Sequence, residues 1–137
     1  MLELPRPFER LSLLSGRTLL GLYFILPGIL KITDFSQTNE YMAAHGVPLI
    51  PLLLPLTIII QIAGGLALIF GFRTRLVAFC LASLILVINV FMHNFWAMPE
   101  GLGRGHELQN FIKNLAIMAG LLYVAGARLQ GPTEKSG

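Results

Sequence analysis

The sequence has few charged residues. Only 12% of its 137 residues are Asp, Glu, Lys or Arg, whereas 55% are hydrophobic. Soluble domains usually carry about 25% charged residues, so this chain lacks the polar surface that would cover a hydrophobic core in water. The composition argues against a soluble domain and indicates an integral membrane protein.

Cysteine is nearly absent, since the chain contains only Cys80. A single cysteine cannot form an internal disulfide or a C-x-x-C redox pair, which excludes a thiol relay within the chain. Cys80 lies in an apolar run, and we expect it to pack in the core. A metal site of the copper type remains a minor alternative, because histidine and methionine cluster towards one side of the predicted bundle. These residues are Met92, His93, Met98 and His106.

Four long apolar segments divide the chain. They are residues 15–32, 51–71, 75–98 and 109–127. Each has close to the ~20 residues that a helix needs to cross a bilayer. We predict an all-α fold, a transmembrane four-helix bundle that forms a single domain over residues 1–137, and we expect Pro27 to kink the first helix.

The segments outside the spans are short. Residues 6–14 place apolar and charged side chains on different sides, which favours a short N-terminal interfacial helix, with an unstructured basic tail as the alternative. No cleavage pattern follows the first apolar segment, so we expect it to remain as an anchor. The first loop is long enough for a short helix ended by Gly46 and Pro48. We expect residues 99–107 to form a flexible, glycine-rich loop.

The distribution of basic residues predicts the orientation. Lys and Arg outnumber acids by ten to seven, but they are scattered between apolar segments, so we expect no nucleic-acid partner. Seven of the ten basic residues lie on the same side of the membrane as the termini, and three lie on the other side. This distribution predicts that both termini are cytoplasmic and that the long loops face the exterior. The seven are Arg6, Arg10, Arg17, Arg73, Arg75, Arg128 and Lys135, and the three are Lys31, Arg104 and Lys113.

None of the four apolar segments contains an acidic residue. Lys113 lies inside the fourth segment, so no Asp or Glu within a segment can neutralise it. A lysine near the bilayer centre is costly unless it snorkels, pairs or faces water. The nearest acids in sequence, Glu100 and Glu107, belong to the predicted loop. An unpaired buried ammonium loses its proton or binds an anionic or carbonyl-bearing ligand.

Other polar residues fall at the same depth as Lys113. Asn89 and His93 are spaced i, i+4 and share a helix face. We predict one outward-opening polar cavity that binds a ligand, lined by Tyr23, Lys31, Gln61, Asn89, His93, Asn110, Lys113 and Asn114. The competing interpretation is that Gln61, Asn89 and Asn110 join helices by hydrogen bonds and that Lys31 snorkels from a helix end.

Small residues at helix-packing spacing recur in the second to fourth segments. They are Gly64, Gly65, Ala78, Ala82, Ala116 and Gly120. Such residues let helices approach closely, either within one bundle or between copies in a homo-oligomer. Both interpretations stay open.

The order of four short motifs, PGILK, GVP, QIAGGLALIFGFRTR and QNFIKNLAIMAGLL, resembles that of the DoxX family of small four-helix membrane proteins. The resemblance covers about residues 17–131 and implies a four-helix bundle in a bacterial inner (cytoplasmic) membrane. Some members are similar to subunits of a thiosulfate:quinone oxidoreductase or quinol oxidase, and others accompany redox-defence or natural-product proteins. Lys31, Lys113 and Asn114 match family motifs. Many members carry a glutamate where this chain has Gln61, so a proton-carrying role is not implied there.

Two classes of function follow. In the first, the chain is a membrane subunit or partner of a quinone-linked oxidoreductase system, and its cavity binds a quinone headgroup or a small anion between apolar walls. The chain would not be catalytic alone, so a bound quinone or a protein partner must carry the electrons. In the second, it is a non-catalytic assembly or accessory protein whose polar groups lock the bundle. Membrane lipid surrounds the protein in either case.

Overall fold

The computed structural model describes residues 3–127, which form five α-helices and one short 3-10 helix, with no strand in this range. The helices are α1 (Arg6–Thr33), α2 (Phe35–Ala44), α3 (Ile50–Phe70), α4 (Thr74–Met92) and α5 (Leu102–Gly126), and the 3-10 helix is Phe95–Ala97. The predicted all-α architecture is confirmed. Arg128 and Lys135, which enter the orientation argument, lie outside the described residues.

Four of the helices, α1, α3, α4 and α5, are long and apolar enough to cross a membrane. The 21 residues of α3 give a length of about 32 Å, close to the ~30 Å hydrocarbon core. The 28 residues of α1 give about 42 Å, so its first turns extend beyond that core. Residues 6–14 are helical, as predicted, but they are continuous with the spanning helix and do not form a separate element.

The spanning helices alternate in direction, and glycines bring two of them into backbone contact. A Cβ atom built on Gly65 of α3 would lie 2.5 Å from the carbonyl oxygen of Gly21 on α1. Further along, Gly28 of α1 lies against Ile62 of α3, so the two helices run antiparallel. The most extensive packing joins α1 to α3 and α4 to α5.

The bundle has two different ends. At the proximal end, α1 begins, α5 ends, and a tight turn joins α3 to α4. Gly71 makes this turn in the left-handed region (φ 74°), and a side chain there would clash with the guanidinium of Arg17. At the distal end lie α2 and the 3-10 helix. The predicted short helix in the first loop is α2, which is followed by Gly46.

The main hydrophobic core occupies the proximal and central parts of the bundle. It comprises Phe24, Leu68, Ala78, Leu81, Ala82, Ile85 and Leu121. A smaller cluster of Met42, Leu54 and Ile58 lies under α2. Cys80 was expected in the core, but it is exposed on the outer surface of α4. The single apolar run around it could not reveal which face of the helix turns inward.

The largest differences from prediction occur between α4 and α5. The third helix was expected to reach residue 98, but α4 ends at Met92. The fourth was expected to begin at residue 109, but α5 begins at Leu102, inside a segment that its glycines had marked as a loop. Local propensity is a weak guide where tertiary contacts compete with it. Here Phe95 and Trp96 pack edge-on against the Phe111 ring of α5.

Candidate functional site

A polar cavity of about 370 Å³ lies between α1, α3, α4 and α5 in the distal half of the bundle. Seven of the eight side chains predicted to form a ligand site line it. They are Tyr23 and Lys31 from α1, Gln61 from α3, His93 after α4, and Asn110, Lys113 and Asn114 from α5. Apolar walls complete it, made by Phe24, Pro27, Ile85, Ile88 and Ile117. The structure therefore brings together residues separated by up to 91 positions in the chain.

Two lysines give this polar cavity a positive character. Lys31 and Lys113 both line it, and no Asp or Glu is among its lining residues. Neither lysine takes part in a salt bridge within residues 3–127, where the one contact between a basic and an acidic side chain joins His93 and Glu107. Lys31 is half-buried and Lys113 is exposed where it borders the cavity. Two basic side chains without a carboxylate among the lining residues favour an electron-rich ligand.

A directional chain of hydrogen bonds closes one wall of the polar cavity. The Tyr23 hydroxyl donates to Asn114 Oδ1 at 2.8 Å, and Asn114 Nδ2 donates to Asn89 Oδ1 at 3.0 Å. Asn89 Nδ2 in turn donates to the backbone carbonyl of Phe111 at 3.1 Å. Asn89 was predicted as a ligand-binding residue, but it is fully buried behind Asn114 and does not line the cavity. Asn89 makes its hydrogen bonds to Asn114 and to the Phe111 backbone.

Gln61 is the side chain that α3 contributes to the polar cavity, and it is 5% exposed. Its Oε1 atom is buried and has no hydrogen-bond partner among residues 3–127. A buried carboxamide oxygen without a donor typically costs about 1–3 kcal/mol relative to a satisfied one. The Oε1 atom of Gln61 can therefore accept a hydrogen bond from a polar ligand. The competing interpretation, in which Gln61 joins helices, receives no support from this atom among residues 3–127.

Glu107 forms a second polar cluster at the distal end, which sequence reasoning missed. Its carboxylate contacts the Nδ1 atom of His93 at 2.6 Å and accepts a longer hydrogen bond from the Tyr41 hydroxyl of α2 at 3.4 Å. Partial burial, with the nearby Glu107 charge as a smaller cause, raises the pKa of Tyr41 above its usual value, so this hydroxyl stays protonated and can donate. The cluster joins α2, the end of α4 and α5. Because Nδ1 of His93 is engaged, Nε2 is the ring nitrogen left for a ligand.

A second, larger cavity of about 490 Å³ adjoins the polar one. Pro27, Lys31, Ile88 and His93 line both. Its other walls combine apolar side chains with polar ones, which lie in or next to α2 except for one on α3. The apolar ones are Leu30, Met42, Leu54 and Met92, and the polar ones are Asp34, Gln37, Thr38, Tyr41 and Thr57. The two cavities therefore lie side by side, and the larger one has the more apolar lining.

The residues considered for a metal site do not assemble. Met98 and His106 line neither of these two cavities. Within residues 3–127, no three His, Cys, Asp or Glu side chains come together as a metal-binding group. His93 instead contacts Glu107.

Small residues divide between the interior and the surface. Ala78 and Ala82 are buried in the bundle core, where they let helices pack closely. Ala116 and Gly120 are exposed on α5, and nothing lies within 4 Å of the position that a Gly120 side chain would take. Ala78 and Ala82 therefore contribute to helix packing within the bundle.

Comparison with known proteins agrees with this architecture. The family model for DoxX matches residues 12–94. The chain is 37% identical over 120 residues to inner membrane protein YqjF of Escherichia coli K12, covering 88% of this chain and 86% of that one. It is 31% identical over 113 residues to inner membrane protein YphA of the same organism, covering 82% and 80%. No solved structure matches the chain. These matches, with four helices able to span a bilayer, show that the chain is an inner-membrane protein and belongs to the DoxX family.

Proposed function

We propose that this protein is the membrane component of a quinone-linked redox system and that its polar cavity binds a quinone headgroup. The observation that carries the proposal is the pair of lysines, Lys31 and Lys113, that line one cavity without an acidic residue. Ammonium groups donate strong hydrogen bonds to carbonyl or anionic oxygens, and such bonds gain strength away from water.

The shape of the combined space supports an amphiphilic ligand. A volume of about 370 Å³ falls in the ~300–1,000 Å³ range of small-molecule sites. The adjoining cavity, with Leu30, Leu54 and Met92 in its walls, offers apolar contacts for the start of an isoprenoid tail. In this arrangement the lysines and Nε2 of His93 hold headgroup oxygens, and Asn110 and Gln61 orient them.

Electron transfer to or from such a ligand requires a second protein. The chain has a single cysteine and therefore no thiol pair that could carry electrons. The quinone would exchange electrons with a partner that docks at the membrane surface, while this chain binds and positions it.

Replacement of Lys113 by methionine tests the proposal. Lys113→Met should leave the bundle folded, because no carboxylate depends on this ammonium for a salt bridge within residues 3–127. Binding of a decyl-benzoquinone should weaken by about 1.5–3 kcal/mol, the contribution of a hydrogen bond to a charged group. The measurement is the ligand-induced shift in melting temperature in detergent. Arg10→Met, which removes a charge from the exposed start of α1, is the matched control.

Two results would contradict the proposal. Wild-type protein that shows no melting shift with the quinone, but a shift with thiosulfate that Lys113→Met abolishes, would assign the cavity to a small anion. A Lys113→Met variant that melts lower yet keeps the wild-type ligand shift would favour the accessory role, in which polar residues only join helices. The buried Asn89–Asn114 hydrogen bond is the feature that favours this second function.

The compartment that the cavity faces follows from the orientation, which stays a prediction. Seven basic residues on the terminal side against three on the other favour cytoplasmic termini, so the distal end would face the exterior. In a Cys80→Ala background, a cysteine at Gly103 should react with an impermeant reagent in cells with a permeabilised outer membrane, and one at Thr74 should not. The reverse pattern would turn the proposed cavity towards the cytoplasm.

A further inference from the structure

The hydrogen-bond chain that starts at Tyr23 has a fixed direction. It ends at the backbone carbonyl of Phe111, which can only accept. Asn89 must therefore present its NH2 group to that carbonyl and its oxygen to Asn114. Asn114 must in turn present its NH2 group to Asn89 and its oxygen to Tyr23. The backbone thus decides the orientation of two side-chain amides that would otherwise be interchangeable.

This direction determines what Tyr23 can offer to a ligand. A phenol has one hydrogen to donate, and Tyr23 donates it to Asn114 Oδ1. Its oxygen retains the capacity to accept, and the residue lines the polar cavity. On the α1 side of the cavity, Tyr23 therefore acts as a hydrogen-bond acceptor, whereas Lys31 and Lys113 can only donate.

A ligand that satisfies both kinds of group must carry a donor and acceptors. A quinone has carbonyl oxygens, which accept from the lysines but have nothing to give Tyr23. A hydroquinone has hydroxyl groups, each of which can accept from an ammonium and donate to the Tyr23 oxygen. We propose that Tyr23, held as an acceptor by Asn114, Asn89 and the Phe111 carbonyl, makes this cavity selective for the reduced, hydroxyl-bearing form of its ligand.

This inference rests on the proposed function and adds a specificity-determining residue to it. Gln61 is consistent with the same ligand, because its buried Oε1 atom lacks a donor among residues 3–127. The Gln61 amide is not anchored by a backbone group in the way that Asn89 is, so Tyr23 carries the argument.

The test compares binding of a decyl-benzoquinone and its hydroquinone under anaerobic conditions in detergent. In wild type, the hydroquinone should bind more tightly. In Tyr23→Phe, which removes the accepting oxygen and keeps the ring, the ratio of hydroquinone to quinone affinity should fall by about 3- to 10-fold, the effect of one neutral hydrogen bond. Comparing ratios between variants cancels the different partitioning of the two forms into micelles. Tyr123→Phe, at an 80% exposed tyrosine outside both cavities, should leave the ratio unchanged.

A second measurement needs no variant. The dimethyl ether of the same hydroquinone keeps the ring and the oxygens but has no hydrogen to donate, so it should bind wild type no more tightly than the quinone does. An affinity ratio that is the same in wild type and Tyr23→Phe would overturn the inference, as would tight binding of the dimethyl ether. In either case the quinone site itself would stand. If neither redox form binds wild type, the proposed function fails and the inference fails with it.

Discussion

The proximal and distal halves of the bundle are built from the same four helices, yet one is closed and the other is hollow. In the proximal half, Gly21 and Gly65 bring α1 and α3 into backbone contact, and Phe24, Leu68 and Leu121 fill the centre. In the distal half, side chains with polar ends replace the small and apolar ones, and two cavities open between the helices. The residues that close one half and line the cavities in the other therefore come from the same helices.

The difference also separates stability from binding. The proximal half holds the helices by packing, which in a membrane depends on close van der Waals contact more than on the hydrophobic effect. The distal half contains Lys31 and Lys113, which have no salt-bridge partner among residues 3–127 and are available to a ligand. Changes in the proximal half should therefore mainly lower stability, whereas changes among the cavity-lining side chains should mainly affect binding.

The largest effect on stability is expected from Gly65→Ala. The new Cβ atom would lie 2.5 Å from the Gly21 carbonyl oxygen, a backbone atom that cannot move without shifting α1. The free energy of unfolding should fall by about 2–3 kcal/mol, typical of overpacking. Denaturant titration in mixed micelles measures it. Gly120→Ala is the matched control, since its Cβ atom meets nothing, and it should be neutral or slightly stabilising. Equal losses in the two variants would refute the packing argument.

Asn89→Leu should have the next largest effect, although it lies next to the cavity. The variant removes the acceptor for Asn114 Nδ2 and the donor for the Phe111 carbonyl. We expect a loss of about 1–2 kcal/mol in the free energy of unfolding. Ser83→Ala on the same helix, where an exposed hydroxyl bonds only to its own helix backbone, should cost far less. If Asn89→Leu proves neutral, the buried amide chain does not stabilise the bundle.

Glu107→Gln probes the polar cluster of the distal end. The His93 and Glu107 side chains are 20% and 16% exposed, so their interaction is partly screened by solvent. We expect a loss of about 1 kcal/mol, and a smaller difference from wild type in high salt. Glu100→Gln removes an exposed acid that lies just before α5 and is the control. A difference that does not change with salt would show that charge is not the cause.

The smallest effect is expected from Tyr41→Phe. Its hydrogen bond to Glu107 is long and exposed, so the loss at neutral pH should stay below about 0.5 kcal/mol. Because the folded-state pKa of Tyr41 is raised above 10.0, the unfolded chain loses this proton first as the pH rises. The contribution of Tyr41 is thus complete below pH 10 and is lost above it. Melting curves on both sides of pH 10 should show a steeper fall for wild type than for Tyr41→Phe.

The spanning helices and most cavity-lining residues could be predicted from the sequence. The four membrane-spanning helices are visible in the sequence as long, mostly apolar segments, because a helix in lipid needs about 20 such residues. The cavity-lining residues were visible as polar exceptions within those runs, since each exception is costly without a reason. The sequence singled out Glu107 only as an acid near Lys113, and its contact with His93 was missed because three nearby glycines, Gly101, Gly103 and Gly105, indicated a loop. In the structure this segment is helical from Leu102, and Phe95 and Trp96 pack against Phe111 on the same helix.

By itself, the sequence determined the environment, the number of spanning helices and the depth of their polar residues, because all three depend on composition and position along the chain. Only the tertiary structure decided that Asn89 lies behind the cavity wall, that Cys80 is exposed, and that Glu107 contacts His93. These facts depend on how each helix is rotated against its neighbours. A nearly uniform apolar helix carries little periodic signal for that rotation, which depends on close contacts between helices, such as the backbone contact of Gly21 with Gly65.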